Sequence, residues 1–123
     1  MSDDDQVTFA RLGGAAVVRL AGEIDMANAP AIGRAIVRNV TGARAVLVDL
    51  TEVSFLDSAG VRLLDTLVGD LEDHGTPIRF VVDAGGTAHK TLELCAFRDD
   101  LLATDLNQAA DEVNAQSAYP GAP

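Results

Sequence analysis

Two hydrophobic periods alternate along the chain. Ala45, Val46, Leu47 and Val48 form a short apolar run without polar alternation, as expected of a strand covered on both faces of a parallel sheet. Further on, Val61, Leu64, Val68 and Leu71 recur at helical spacing, and Leu67 widens the stripe into the buried face of an amphipathic helix. Ile32, Ile36 and Val40 mark an earlier helix, entered through Asn28 or Ala29 with Pro30 in its first turn and closed by Gly42. Residues 7–11 and 15–21 read as a hairpin whose paired glycines, Gly13 and Gly14, supply the positive φ angles of a tight turn. After His74 to Pro77, residues 78–82 give a further strand. A third helix runs through Leu92 and Cys95, residues 97–103 add a short edge strand, and Leu106, Ala109, Ala110 and Val113 mark a last helix.

The order ββαβαβα(β)α predicts an α/β domain with a mixed, mostly parallel sheet of about four to five strands and about four helices. It spans residues 7–113, between a flexible start at 1–6 and a flexible tail at 114–123 with little to bury. Loops that follow parallel strands emerge on one edge of such a sheet, where ligands and partners usually bind. The turns at 23–25, 54–58 and 83–87 are therefore expected to meet on one surface.

Composition narrows the function classes. The chain has 123 residues, 48% of them hydrophobic, enough for one core and no second domain. A formal charge of -10 disfavours nucleic acid and anionic lipid surfaces and suits partners with basic faces. No apolar run approaches the ~20 residues of a membrane span, and the acidic start lacks the basic flank of a signal peptide. A cytoplasmic protein without membrane insertion is expected. One cysteine, Cys95, excludes an internal disulfide and any Cys-pair metal site; beside Leu92 it reads as an inert core thiol. His74 and His89 have no companion at metal-ligand spacing, so neither a metal nor another cofactor is expected. Residues Gly85, Gly86 and Thr87 lack the third glycine and the lysine of nucleotide-binding loops, which leaves a plain turn and helix cap. Glu23, Asp25 and Asp57 would have to serve as acid and base in an enzyme, but four Phe, one Tyr and no Trp offer little lining for a deep pocket.

The polar turn between the Val46 strand and the Val61 helix holds the chemistry. Asp57 or Ser58 is the natural N-cap there; Ser54 with Asp57 also has capping-box spacing, a weaker alternative because the helix would then begin near Phe55. A serine at this position is exposed to modification, and free N–H groups of the first turn accommodate a phosphate. Gly60 costs roughly 1 kcal/mol against alanine inside a helix, so something requires a bare backbone.

Asp57-Ser58-Ala59-Gly60 after a buried strand, together with Gly22-Glu23-Ile24-Asp25 upstream, resembles the phosphorylation motif and second-strand turn of STAS domains, specifically those of bacterial anti-sigma factor antagonists. Element order fits from about residue 7 to residue 113. Ala59 stands where many members carry a second Ser or Thr, so Ser58 is the one acceptor carried over. The resemblance implies that unmodified Ser58 lies in an interface with an anti-sigma factor, which releases its sigma factor on binding. It further implies that this partner is a serine kinase that phosphorylates Ser58 and so ends the contact, and that a separate serine phosphatase restores it. No catalytic residue is required of this chain. Glu23, Asp25, Asn28, Ser54, Asp57, Ala59, Gly60 and Arg62 surround Ser58 as candidate partner-binding positions. Beside this stands a plainer reading, in which Ser58 is a helix cap and Glu23, Asp25 and Asp57 are solvated or bound to nearby backbone N–H groups. An alternative function within the same family is a small subunit of a larger complex, such as a lipid-transport assembly, with no phospho-switch.

Overall fold

The computed structural model describes residues 6–118. Its elements are β1 (Val7–Leu12), β2 (Ala15–Ile24), α1 (Ala29–Val40), β3 (Ala45–Leu56), α2 (Ser58–Asp73), β4 (Ile78–Val81), α3 (Thr87–Leu94), a 3₁₀ turn (Asp99–Leu101), β5 (Leu102–Ala103) and α4 (Leu106–Ala118). The strands lie in one sheet in the order β1-β2-β3-β4-β5. Only the β1–β2 pair is antiparallel; β2–β3, β3–β4 and β4–β5 are parallel. The mixed, mostly parallel sheet and its four helices agree with the expectation from sequence.

Unbroken apolar runs in the central strands follow from burial on both faces. Val46, Val48 and Leu50 of β3 join Val18 and Leu20 of β2 beneath Ile32, Ile36, Leu64, Val68 and Leu92 of α1, α2 and α3. The intervening Ala45 and Leu47 turn to the opposite face, where Ala109, Ala110 and Val113 of α4 cover them together with Val17 and Val81. Among the described residues, Asp49 is the one buried residue that is charged. Its carboxylate accepts bonds from Thr51 N (2.9 Å), Thr51 Oγ1 (2.7 Å) and Arg19 Nε (3.1 Å), so it is a structural anchor for the strand beyond it.

Several boundaries differ from those read in the sequence. The hairpin needs one left-handed glycine rather than two: Gly13 has φ +64°, and Gly14 is not left-handed. The last helix runs on to Ala118, and Asn114, placed by sequence in a flexible tail, donates from Nδ2 to Leu12 O at 3.2 Å. At the other end Gln6, placed in the flexible start, accepts from Ala21 N at 2.9 Å through its carbonyl. Residues 1–5 and 119–123, the rest of the two termini expected to be flexible, lie outside the described residues. Cys95 is exposed, which corrects the core-thiol reading. Helix α3 ends at Leu94 and buries only Ala88 and Leu92, so the chain has already turned outward at Cys95.

Candidate functional site

Strands β2 and β3 continue as a pair well past the end of β4. Val81, the last residue of β4, pairs with Asp49, whereas β2 stays paired with β3 as far as Ile24 and Leu56. Measured along β2 from Arg19, which pairs with Asp49, to Ile24, at about 3.3 Å per residue, the extension is about 17 Å long. The chain therefore leaves β4 for the 83–87 turn near the level of Asp49, whereas the turns at 23–25 and 54–58 end the same pair of strands, β2 and β3. Sequence periodicity carries no information about how far each strand extends relative to its neighbour, because register is a non-local property.

The extension is possible because β3 absorbs extra residues. Arg19 pairs with Asp49 but Ala21 with Glu52, and Gly22 pairs with Val53 but Glu23 with Phe55. The second irregularity leaves Ser54 as the inserted residue, and Ser54 and Phe55 are both exposed in succession. Bulges of this kind bend a strand and re-aim its side chains, and they concentrate beside functional sites. Phe55 is thereby turned outward, 47% exposed.

Polar groups near the start of α1 hold the 23–28 turn. Asp25 N donates to Asn28 Oδ1 (2.9 Å), and Asn28 Nδ2 donates to Glu23 O (2.8 Å). Asp25 Oδ1 accepts from Ala27 N (3.0 Å) and Asn28 N (3.3 Å). Gln6 Nε2 also donates to Glu23 O (2.5 Å). Asn28 is the N-cap residue of α1 by position, yet its side chain makes no cap bond, being spent on the preceding turn. Asn28 and Asp25 are half-buried and serve the shape of this turn; Glu23 is exposed.

The 54–58 turn is fixed as firmly. Asp57, not Ser58, is the N-cap of α2: its Oδ1 accepts from Gly60 N at 3.0 Å. Asp57 N donates to Ile24 O at 3.2 Å, joining the two turns directly. Gly60 is buried against the same carbonyl: a Cβ there would collide with Leu56 Cδ1 and stand 3.1 Å from Ile24 Cγ2 and 3.3 Å from Ile24 O. The bare backbone inferred from sequence is thus a packing requirement. Asp57→Ala is expected to lower stability by about 1 kcal/mol through loss of the cap, read as a fall in thermal midpoint.

Ser58 is the first residue of α2 and is exposed. Since Asp57 takes the Gly60 N–H, the serine hydroxyl has no capping duty and stands free beside the N–H groups of the first turn. Arg62 is exposed four residues along α2, on the same face. Ala59 is half-buried between them. Around this point the structure adds two residues that sequence reasoning missed. Phe55, at the bulge three residues before Ser58, is 47% exposed, and Met26, in the 23–28 turn, is 73% exposed. A methionine inside an otherwise polar turn was the available signal. Among the described residues no group of His, Cys, Asp or Glu side chains could hold a metal ion, and no helix is long and apolar enough to cross a membrane.

The surface so built holds an exposed serine hydroxyl at the start of α2, with exposed Phe55 and Met26 on the two adjoining turns. The STAS domain family model matches residues 6–112. The chain is 36% identical over 86 residues to the anti-sigma-F factor antagonist RsfB of Mycobacterium tuberculosis, spanning 69% of this chain and 68% of the relative. Its fold superposes on an anti-sigma factor antagonist from Mycobacterium paratuberculosis with TM-score 0.76 and 29% identity, over 88% of this chain and 92% of the other. Unphosphorylated SpoIIAA, an anti-sigma factor antagonist 19% identical, shares the fold with TM-score 0.72 over 89% of this chain and 96% of its own. The chain belongs to the STAS-domain family and groups there with the anti-sigma factor antagonists.

Proposed function

We propose that this protein works by partner switching: with Ser58 unmodified it binds an anti-sigma factor, and the sigma factor held by that partner is released. The partner is also the serine kinase for Ser58, so phosphorylation ends the complex, and a serine phosphatase returns the chain to its binding form. ATP and Mg²⁺ belong to the kinase, and this chain acts in the cytoplasm as a binding protein rather than an enzyme. The observation that carries the reading is the exposed Ser58 hydroxyl, relieved of capping by Asp57 on a surface whose two adjoining turns also expose Phe55 and Met26. Interface cores are enriched in aromatic residues and methionine, which suits Phe55 and Met26 as apolar anchors around the switch. Glu23 and Arg62 offer charged contacts at the edge of the same surface.

The test begins with capture from the native cell on the Ser58→Ala form, followed by identification of what is retained. A retained anti-sigma factor is then incubated with the wild-type chain and ATP. Mass spectrometry is expected to place one phosphate on Ser58 and none on Ser58→Ala. Full modification of Ser58→Ala would remove the mechanism.

A further inference from the structure

An apolar groove of about 650 Å³ runs between α1 and α2, floored in part by Leu63 and flanked by Val37, which is 48% exposed. It begins beside Ser58, because Met26, Ala59 and Arg62 line one end, and it extends along α2 to Asp70. At 1.5 Å per residue, Ala59 to Asp70 covers about 16 Å, the length of three helical turns. Three guanidinium groups border it: Arg34 and Arg38, one turn apart on α1, and Arg62 on α2. The chain carries 19 Asp and Glu against 9 Lys and Arg. Even so, none of these three arginines forms an ion pair among the described residues, where the pairs are made by Arg19, His89 and Arg98.

We propose that this groove receives an acidic amphipathic helix of about three turns, contributed by the same partner that contacts Ser58. The inference rests on the partner-switching reading and adds a second point of attachment to it. A cleft between two helices accepts a third through apolar residues spaced i, i+3 or i+4, and i+7. The unpaired arginines select carboxylates on that helix, which they can hold in paired hydrogen bonds. Asp70, at the far end, matches a basic residue there. The groove is locally cationic on a chain of net charge -10, so it reverses at short range the preference for basic partners that overall charge implies. Arg62 belongs both to the groove and to the Ser58 face. A phosphate on Ser58, four residues away, would draw the Arg62 guanidinium from the bound helix, which couples the second attachment to the switch.

The test compares binding of the anti-sigma factor retained by Ser58→Ala to four forms of the full chain: unphosphorylated wild type, Arg34→Glu with Arg38→Glu, Val37→Asp, and Ser58→Glu. Thermal melts establish that each form is folded, as expected for changes at exposed positions of α1. At low salt the paired charge reversal and Val37→Asp are each expected to weaken binding at least tenfold, with Arg62 untouched. The charge reversal is also expected to flatten the fall in affinity as salt is raised. Unchanged affinity in both α1 variants, with Ser58→Glu strongly impaired, would overturn the groove assignment and leave the Ser58 reading standing. Failure of wild type and Ser58→Ala to bind any anti-sigma factor would overturn both. Self-association of the free chain, or binding to anionic phosphatidylglycerol vesicles, that depends on Arg34 and Arg38 while partner affinity does not, would assign the groove to another occupant and overturn the proposal.

Discussion

Ser58→Glu is expected to weaken partner binding by at least tenfold, and phosphoserine at the same position by about a hundredfold or more, while the free domain stays folded. A phosphate adds roughly -1.5 to -2 charges, a small change beside the existing -10, and beyond about 8 Å physiological salt screens it. Long-range repulsion is therefore a minor contribution. In the free protein the phosphate sits at the start of α2, where the helix dipole contributes roughly 0.3 to 1 kcal/mol in its favour. Asp57 opposes this from the adjacent position, and Arg62, four residues on and exposed, supplies a cation. Pressed against a partner surface without a new cation, the same charge costs roughly 3 to 5 kcal/mol, equal to about a hundredfold to several thousandfold in affinity. Glutamate carries less charge and fewer acceptor atoms, hence the smaller effect. Isothermal titration against the anti-sigma factor reads the difference, and near-equal affinity of wild type and Ser58→Glu would argue that this turn lies outside the contact.

Gly60→Ala is expected to destabilise the domain even though alanine is the better helix former by roughly 1 kcal/mol. The added methyl meets Leu56 Cδ1 and lies within 3.1 Å of Ile24 Cγ2 and 3.3 Å of Ile24 O. Leu56 and Ile24 are themselves buried, and the Ile24 carbonyl is backbone that already receives Asp57 N. Overpacking at such a position costs about 1 to 3 kcal/mol, which outweighs the propensity gain. Since Ile24 and Leu56 end the two strands that lead into the 23–28 and 54–58 turns, the strain reaches the surface around Ser58 as well. A rise in thermal midpoint for Gly60→Ala would contradict the packing role. Gly60→Val is expected to exaggerate the same effect, and urea unfolding of both variants ranks them.

Local patterns in the sequence specify local structure well here. The helical stripe from Val61 to Leu71 and the solid run from Ala45 to Val48 identify α2 and β3, because burial on one or both faces is written directly into residue spacing. The Asp57-Ser58 junction is legible for the same reason, since helix starts have short-range chemistry. Relations between distant segments are less visible. The β3 extension depends on the bulges after Asp49 and at Ser54, which break the alternation that would mark a strand and make the segment resemble a polar loop. The outward aim of Phe55 follows from the bulge at Ser54 and is likewise not written in residue spacing. Asn28 resembles a simple helix cap, but its amide is committed to Asp25 and Glu23 across the turn. The groove beside α1 is invisible in sequence because Arg34, Arg38 and Arg62 come together only when two helices pack on one sheet face.

The most direct test uses one preparation of the chain phosphorylated stoichiometrically at Ser58, with its thermal midpoint and its affinity for the anti-sigma factor measured side by side against the unmodified chain. The expected result is a nearly unchanged midpoint together with loss of affinity of about a hundredfold or more. Equal affinity of the two forms would contradict the account, as would a loss of binding that tracks an equivalent collapse of the fold.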